Sequence, residues 1–180
     1  MSETIETITL AGGCFWCVEA VFEQLRGVVD VQSGYSNGHA IEPSYEQVCA
    51  GDTGHAEVVR VRFDPAKVTL AGLLNVFFAT HDPTTRDRQG ADVGTQYRSG
   101  IYYSDASQRE VIARAVASLN AELGGRVVTE VAPLANYSAA EAYHQHYFAN
   151  NPNQGYCAAV IGPKVDKFRK VFKDSLADSA

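Results

Sequence analysis

The sequence Ala11-Gly12-Gly13-Cys14-Phe15-Trp16-Cys17-Val18-Glu19 lies between a predicted strand and a predicted helix. Residues 5–10 alternate apolar and polar side chains, which is the pattern of a half-buried strand. Residues 18–25 place apolar side chains at i, i+3, i+4 and i+7, which is the pattern of one helix face. Cys14 is therefore expected in the first turn of a helix that begins at a Gly-Gly corner.

Cys14 is a candidate nucleophile because of this position. Unpaired backbone N–H groups and the positive end of the helix dipole meet at a helix start and favour a thiolate, which is the reactive form of cysteine. Phe15 and Trp16 beside it suggest an apolar pocket for a small, uncharged group. The alternative is that Cys14 is a buried small hydrophobe and that the two aromatic side chains belong to the core.

The composition excludes several classes of protein. A chain of 180 residues predicts one domain over residues 1–180, and a net charge of −6 argues against nucleic-acid binding. No apolar run reaches the length of a membrane span, and the first residues lack the basic start of a signal peptide. We therefore expect a cytoplasmic protein without a membrane partner, in which the four cysteines are catalytic or inert and form no structural disulfides.

The order of predicted elements indicates the fold class. Strands and helices mix without strict βαβ alternation, which predicts an α+β fold. Strands are predicted over residues 28–31, 57–64, 97–104 and 127–131, and helices from Thr69, from Ser104 or Asp105, from a capping box at 138–141 and over 164–176. Residues 39–54 and 81–96 have no periodicity. A loop as long as 81–96 in a compact domain is usually functional or disordered.

Glu57 is a candidate proton donor. Alternation along its strand places Val59, Val61 and Phe63 on the apolar face, and Glu57 shares their parity. Burial raises the pKa of a carboxyl, and a carboxyl that is protonated near neutral pH donates a proton to an electron-rich oxygen. The alternative is a frayed first strand residue that reaches solvent or pairs with an arginine.

The remaining polar residues give weaker signals. The hydroxyls of Tyr45, Tyr97, Tyr103 and Tyr156 are candidate donors, although buried tyrosines are more often packed side chains. The five histidines form no metal set, and Cys14-x-x-Cys17 without a second pair is weak evidence for zinc. Cys49 is interpreted as structural.

Taken together, these residues resemble the A-type peptide methionine sulfoxide reductases, and the resemblance covers nearly the whole chain. It depends on motifs in one order along about 150 positions, each of them weak alone. The motifs are Gly13-Cys14-Phe15-Trp16, residues 51–57, His81-Asp82-Pro83, Arg88-Gln89-Gly90, Asp92, residues 94–99, Asn151-Pro152 and Gly155-Tyr156-Cys157.

The resemblance implies an α+β two-layer fold around a mixed, mainly antiparallel sheet with flanking helices. It also implies that Cys14 attacks the sulfur of methionine S-sulfoxide while protonated Glu57 donates to the sulfoxide oxygen. In the family, hydroxyls at the positions of Tyr45 and Tyr97 assist this donation. The substrates are free methionine sulfoxide and oxidised proteins.

The resemblance further implies how the substrate is held. Phe15 and Trp16 match the residues that hold the methyl group of the substrate in an apolar pocket. Asp92 matches the residue that binds its main-chain amide. No bound cofactor or metal is implied, and we expect a monomer.

The oxidised Cys14 becomes a sulfenic acid, and a second thiol condenses with it to a disulfide that thioredoxin reduces, or a dithiol such as DTT in vitro. Cys157 matches a family recycling position and is the first expectation for this thiol. Cys17 is the alternative, because it lies one helical turn after Cys14. The family usually has glycine at this position. The residues after Cys157 also depart from the family pattern, since they include no further cysteine.

Two other functions remain open at this point. A thioredoxin-like dithiol oxidoreductase would use Cys14-x-x-Cys17 at a helix start. A non-enzymatic binder would recognise oxidised or aromatic side chains between Phe15 and Trp16.

Overall fold

A computed structural model describes residues 4–177 of the chain. Its strands are β1 (Glu6–Gly12), β2 (Val28–Ser36), β3 (Ala56–Phe63), β4 (Arg88–Gln89), β5 (Asp92–Val93), β6 (Ser99–Tyr103), β7 (Glu130–Pro133) and β8 (Ser138–Ala139). Its α-helices are α1 (Phe15–Phe22), α2 (Tyr45–Cys49), α3 (Leu70–Thr80), α4 (Ala106–Glu122), α5 (Tyr147–Asn150) and α6 (Gly162–Val171).

Six of the strands form one mixed sheet in the order β7-β6-β1-β3-β2-β8. All neighbours in this sheet are antiparallel except β6 and β7, which are parallel. β4 and β5 form a separate two-stranded hairpin. The predicted α+β fold with a mixed, mainly antiparallel sheet is therefore confirmed.

The register of the central strands separates two faces. Leu10 of β1 pairs with Val59 of β3 and with Ile101 of β6, and all three side chains are fully buried in the main core, to which α1 and α3 contribute. Ala11 and the alternate residues of β3 face the other side, where a smaller cluster includes Tyr137. Glu57 has the parity of Val59, so its carboxyl lies on the face that carries α1.

The helix starts follow local capping rules. The side chain of Thr69 accepts a hydrogen bond from the backbone N–H of Gly72, and that of Asp105 from Gln108, as predicted for α3 and α4. In the segment 39–54, where no element was predicted, Ser44 and Gln47 form a capping box that begins α2.

Two sequence-based predictions of local structure are wrong. The motif at 138–141 does not cap a helix: Ser138 lies in β8, and the Glu141 carboxylate accepts from the Tyr35 hydroxyl (2.8 Å) and the Tyr45 backbone N–H (3.0 Å). These tertiary partners replace the local cap. The segment 81–96 contains the β4–β5 hairpin, and Tyr97 ends a 3-10 turn before β6.

In residues 4–177 we find no helix whose length and apolar character would let it cross a membrane. The single-domain organisation, the monomeric state and the cytoplasmic location stay predictions.

Candidate active site

The corner before Cys14 requires glycine. Gly13 has a φ of +93°, which favours glycine, and a Cβ there would lie 2.7 Å from Cγ of Gln89. Gln89 is fixed by Asp82, since the Asp82 N–H donates to Oε1 of Gln89 (2.8 Å) and Nε2 of Gln89 donates to the Asp82 carbonyl (2.6 Å). The β4 segment therefore closes over the Gly-Gly corner and sets the position of Cys14.

Cys14 is the N-cap residue of α1, and its carbonyl accepts the first hydrogen bond of the helix, from Cys17. Burial and the nearby Glu57 carboxyl raise the pKa of the Cys14 thiol well above its usual value, against a smaller lowering by the Trp16 backbone N–H. The backbone N–H at the helix start lowers the thiol pKa, as predicted, but this effect is the smaller one. Desolvation outweighs the helix start, so the free protein holds Cys14 as a thiol.

Glu57 lies beside this thiol as a buried carboxyl. Its side chain is 1% exposed, and Oε1 accepts a hydrogen bond from the Phe15 backbone N–H (3.1 Å). Oε2 is buried without a hydrogen-bond partner among residues 4–177. Burial raises the pKa of Glu57 to about 8, with a further contribution from Asp92. Glu57 is thus protonated at neutral pH, and the frayed-strand alternative is wrong.

The hydroxyls of Tyr45 and Tyr97 lie near the Glu57 carboxyl. Tyr45 begins α2, and Tyr97 ends the 3-10 turn before β6. Burial raises the pKa of both hydroxyls, and the Glu57 carboxyl is the next cause for each. Both are therefore neutral hydrogen-bond donors that face Glu57.

Phe15 and Trp16 form an aromatic wall. Phe15 is buried and its ring lies 5.1 Å from that of His144. Nε1 of Trp16 donates to Nδ1 of His144 (2.9 Å), and the indole stacks on Tyr147 with 3.8 Å between ring centroids. Hydrogen bonding and stacking together fix the indole plane.

Asp92 lies in β5 at the rim of the same site. Its Oδ2 accepts from the Tyr156 hydroxyl (2.6 Å), and its charge contributes to the raised pKa values of Glu57, Tyr97 and Cys14. A carboxylate at this place can accept from a main-chain N–H of a bound substrate.

The four cysteines all carry free thiols. Cys17 and Cys157 share a small buried cluster, which we call the Cys157 cluster and which consists of Cys17, Ala20, Cys157, Ile161 and Val165. Burial raises the pKa of both thiols, and for Cys17 the Lys164 ammonium opposes this effect. Cys49 is exposed, so the prediction that it is structural finds no support from burial.

Two residues of the site were not predicted, His144 and Tyr147, whereas Tyr156 was a candidate hydroxyl donor. The helix predicted to begin at the capping box of residues 138–141 would carry both His144 and His146, and this prediction is wrong. His144 ends a 3-10 turn with its ring fully buried, and His146 begins α5 in a left-handed conformation. The concentration of aromatic and histidine residues at 143–147 was the available signal.

Comparison with known proteins agrees with this geometry. The family model described as peptide methionine sulfoxide reductase matches residues 6–176. The peptide methionine sulfoxide reductase MsrA of Chromobacterium violaceum is 52% identical over 174 residues, which are 96% of this chain and 99% of the relative.

The chain belongs to the peptide methionine sulfoxide reductase family.

Solved structures of the family share the fold. The reduced form of Mxr1 from Saccharomyces cerevisiae is 37% identical with a TM-score of 0.79, and the match covers 85% of this chain and 89% of that one. Mxr1 in complex with Trx2 matches with a TM-score of 0.56 and 26% identity over 82% of this chain and 89% of that one. The resemblance inferred from the sequence, to an A-type methionine sulfoxide reductase, is confirmed, and it decides against the dithiol oxidoreductase and the non-enzymatic binder.

Proposed function

We propose that this reductase acts on methionine S-sulfoxide, free or in proteins, through attack of the Cys14 sulfur on the sulfoxide sulfur. The observation that carries the proposal is the buried, protonated Glu57 beside Cys14, with Oε2 free of other hydrogen bonds. A sulfoxide becomes a better electrophile when its oxygen receives a proton, and a neutral carboxyl in an apolar site is suited to supply one.

The first half of the reaction conserves atoms and electrons within the site. Glu57 gives its proton to the sulfoxide oxygen, the Cys14 sulfur bonds to the substrate sulfur, and the thiol proton returns to the Glu57 carboxylate. The oxygen then passes to the Cys14 sulfur, methionine leaves, and Cys14 is a sulfenic acid. The raised pKa of Cys14 fits this scheme, because thiol and carboxyl exchange protons without a net charge in the buried site.

The other members of the site orient the substrate. The neutral hydroxyls of Tyr45 and Tyr97 hydrogen-bond the sulfoxide oxygen, where negative charge develops. The methyl group on the sulfur lies against Phe15 and Trp16. Asp92 accepts from the main-chain N–H of the methionine residue.

A second thiol completes the cycle, and we propose Cys157 for it. Its sulfur attacks the Cys14 sulfenic acid, water leaves, and a disulfide remains for an external dithiol to reduce. The neighbouring Tyr156 already lines the site through its hydrogen bond to Asp92, which supports access for Cys157. Cys17 is the second candidate, because it lies one helical turn from Cys14 and the Lys164 ammonium lowers the pKa of its thiol against the raising effect of burial.

Thioredoxin is the proposed reductant, and DTT its substitute in vitro. The complex of Mxr1 with Trx2 supports this proposal. The cycle uses only thiols and a disulfide, so it requires no metal or bound cofactor.

A single turnover tests the proposal. The fully reduced protein is mixed with methionine S-sulfoxide without reductant, methionine is quantified, and disulfides are mapped by peptide mass. We expect one methionine per protein and a Cys14–Cys157 bond. The same yield with a Cys14–Cys17 bond would keep the reaction and reassign the resolving thiol, whereas no methionine would contradict the proposed function. The R-sulfoxide is the matched control substrate and should give no product.

A further inference from the structure

A second cluster of ionisable side chains lies on α1 and at the start of α5. Glu19 and Glu23 are one helical turn apart at the end of α1, and His146 begins α5. One ligand atom from each of the three lies within 4.8 Å of the other two. Within the described range 4–177, this is the one group of three or more such residues with that geometry.

Glu19 is the unusual member of this cluster. Its residue is 1% exposed, and Oε2 is buried without a hydrogen-bond partner in the described part of the chain. By contrast, Glu23 and His146 already pair with each other, at 2.9 Å between Oε2 and Nδ1. A buried carboxylate oxygen without a partner is costly, and burial raises the pKa of Glu19 to about 7. The backbone N–H groups of His146 and Tyr147 lower this pKa, but Oε2 of Glu19 is left without a partner.

We propose that Glu19, Glu23 and His146 bind a divalent first-row transition cation. Two carboxylates and one imidazole are a ligand set that such cations accept, and the imidazole argues against calcium and magnesium, which prefer oxygen ligands alone. A dication would offset the charge of both carboxylates and would give the free Glu19 oxygen a partner. The sequence predicted no metal site, because Glu19 and Glu23 lie more than 120 positions before His146.

The cluster is connected to the aromatic wall of the reaction site. His146 precedes Tyr147, whose ring stacks on Trp16 at 3.8 Å. A cation held by α1 and by the start of α5 would tie these two segments together. Its binding would thus stabilise the indole against which the substrate methyl group lies.

Cobalt is a suitable probe, because its absorption spectrum distinguishes thiolate ligands from nitrogen and oxygen ligands. The reduced protein is titrated anaerobically with Co²⁺ in the absence of substrate, so the outcome does not depend on the proposed reaction. We expect one equivalent to bind with a spectrum free of thiolate charge transfer. The variants Glu23→Gln and His146→Gln should each bind at least about 10-fold more weakly, because each removes a ligand.

The matched control is His39→Gln, which changes an exposed histidine outside the cluster and should bind Co²⁺ like the unchanged protein. Circular dichroism of each variant verifies that it is folded. Absence of binding would mean that Glu23 and His146 form an ion pair only, and it would overturn the proposal. Thiolate charge transfer, or unchanged binding by His146→Gln, would overturn it as well, because the cation would then lie on the cysteines or elsewhere.

Discussion

The two thiols of the proposed cycle, Cys14 and Cys157, lie in different structural settings. Cys14 follows the central strand β1 and is fixed by the Gly13 corner, by α1 and by Gln89. Cys157 begins a π-helical turn, and although its own side chain is 0% exposed, the residues on both sides, 153–155 and 158–160, are exposed.

This difference indicates how the two halves of the cycle divide the molecule. In the proposed reaction, reduction of the substrate depends on proton exchange between Cys14 and Glu57, which requires fixed distances, and the central sheet provides them. The proposed resolution step requires the Cys157 sulfur to leave its cluster and reach Cys14, and a segment with few buried neighbours opens at low cost. In this scheme the central sheet holds Cys14 and Glu57 in place, and we call it the rigid half. The segment around Cys157 moves, and we call it the mobile half.

The largest expected effect is that of Cys14→Ser. Without the sulfur nucleophile, single-turnover formation of methionine should fall by at least ~10³-fold. The matched control is Cys49→Ser, which changes an exposed thiol and keeps a hydrogen-bonding group beside the Tyr45 hydroxyl, so the yield should be unchanged. Methionine formation by Cys14→Ser at the normal rate would show that the reaction does not use this corner.

Glu57→Gln is the next strongest test of the rigid half. Glutamine keeps the oxygen that accepts from the Phe15 N–H but lacks the acidic proton, so the rate of methionine formation should fall by about 10²–10⁴-fold. In the unchanged protein, the rate should decrease as pH rises through about 8, where Glu57 loses its proton. The residual rate of Glu57→Gln should lack this decrease. If the rate of the variant still fell as pH rises through about 8, another group would be the acid.

The same carboxyl has a predicted effect on stability. The folded protein keeps the Glu57 proton up to about pH 8, whereas the unfolded chain releases it near the usual value of 4.5. Between these values the folded state binds more protons, so the free energy of unfolding decreases by up to about 1.4 kcal/mol per pH unit as pH rises. Urea denaturation at pH 5 and pH 8 measures this difference in the free energy of unfolding. The difference should be smaller in Glu57→Gln than in the unchanged protein.

The mobile half is tested by Cys157→Ser. Single-turnover methionine should stay near one per protein, because Cys14 and Glu57 are intact. Turnover with thioredoxin should fall by at least ~100-fold, because an intramolecular thiol has a large effective concentration that an external one lacks. Cys17→Ser is the matched control and should retain turnover. The reverse result would assign resolution to Cys17 and place both halves of the cycle on α1.

The sequence predicted the rigid half better than the mobile half, for a physical reason. Alternation in β3 predicted that Glu57 faces the core, since a strand has a fixed period and the register follows from it. The sequence did not predict that Cys14 is a thiol. A helix start can be recognised in a sequence, but the desolvation of a thiol depends on distant segments. The resemblance to a family supplied the roles of Tyr45, Tyr97 and Asp92, for which local patterns gave only weak signals.

The region 138–161 was predicted least well. Glu141 has the spacing of a capping box, but its carboxylate is satisfied by Tyr35 and Tyr45, which lie about 100 residues earlier. Tertiary hydrogen bonds override local signals of this size. The role of His144 was likewise hidden, because only the folded chain brings its ring to Trp16.

The smallest effect is expected for His144→Phe, which tests the aromatic wall between the two halves. Phenylalanine keeps an aromatic ring beside Phe15 but leaves the Trp16 N–H without its acceptor. One lost hydrogen bond costs roughly 1–2 kcal/mol, so KM for methionine S-sulfoxide should rise about tenfold while kcat changes little.

His144→Gln offers a carbonyl oxygen in place of Nδ1 and should recover part of the loss, and His39→Phe is the control at an exposed position. Burial lowers the pKa of His144, so the ring is neutral above pH 7 and the rise in KM should be the same at pH 7 and pH 8. A fall in kcat with unchanged KM, or an effect that follows pH, would instead make His144 part of the proton chemistry and not a positioning residue for Trp16.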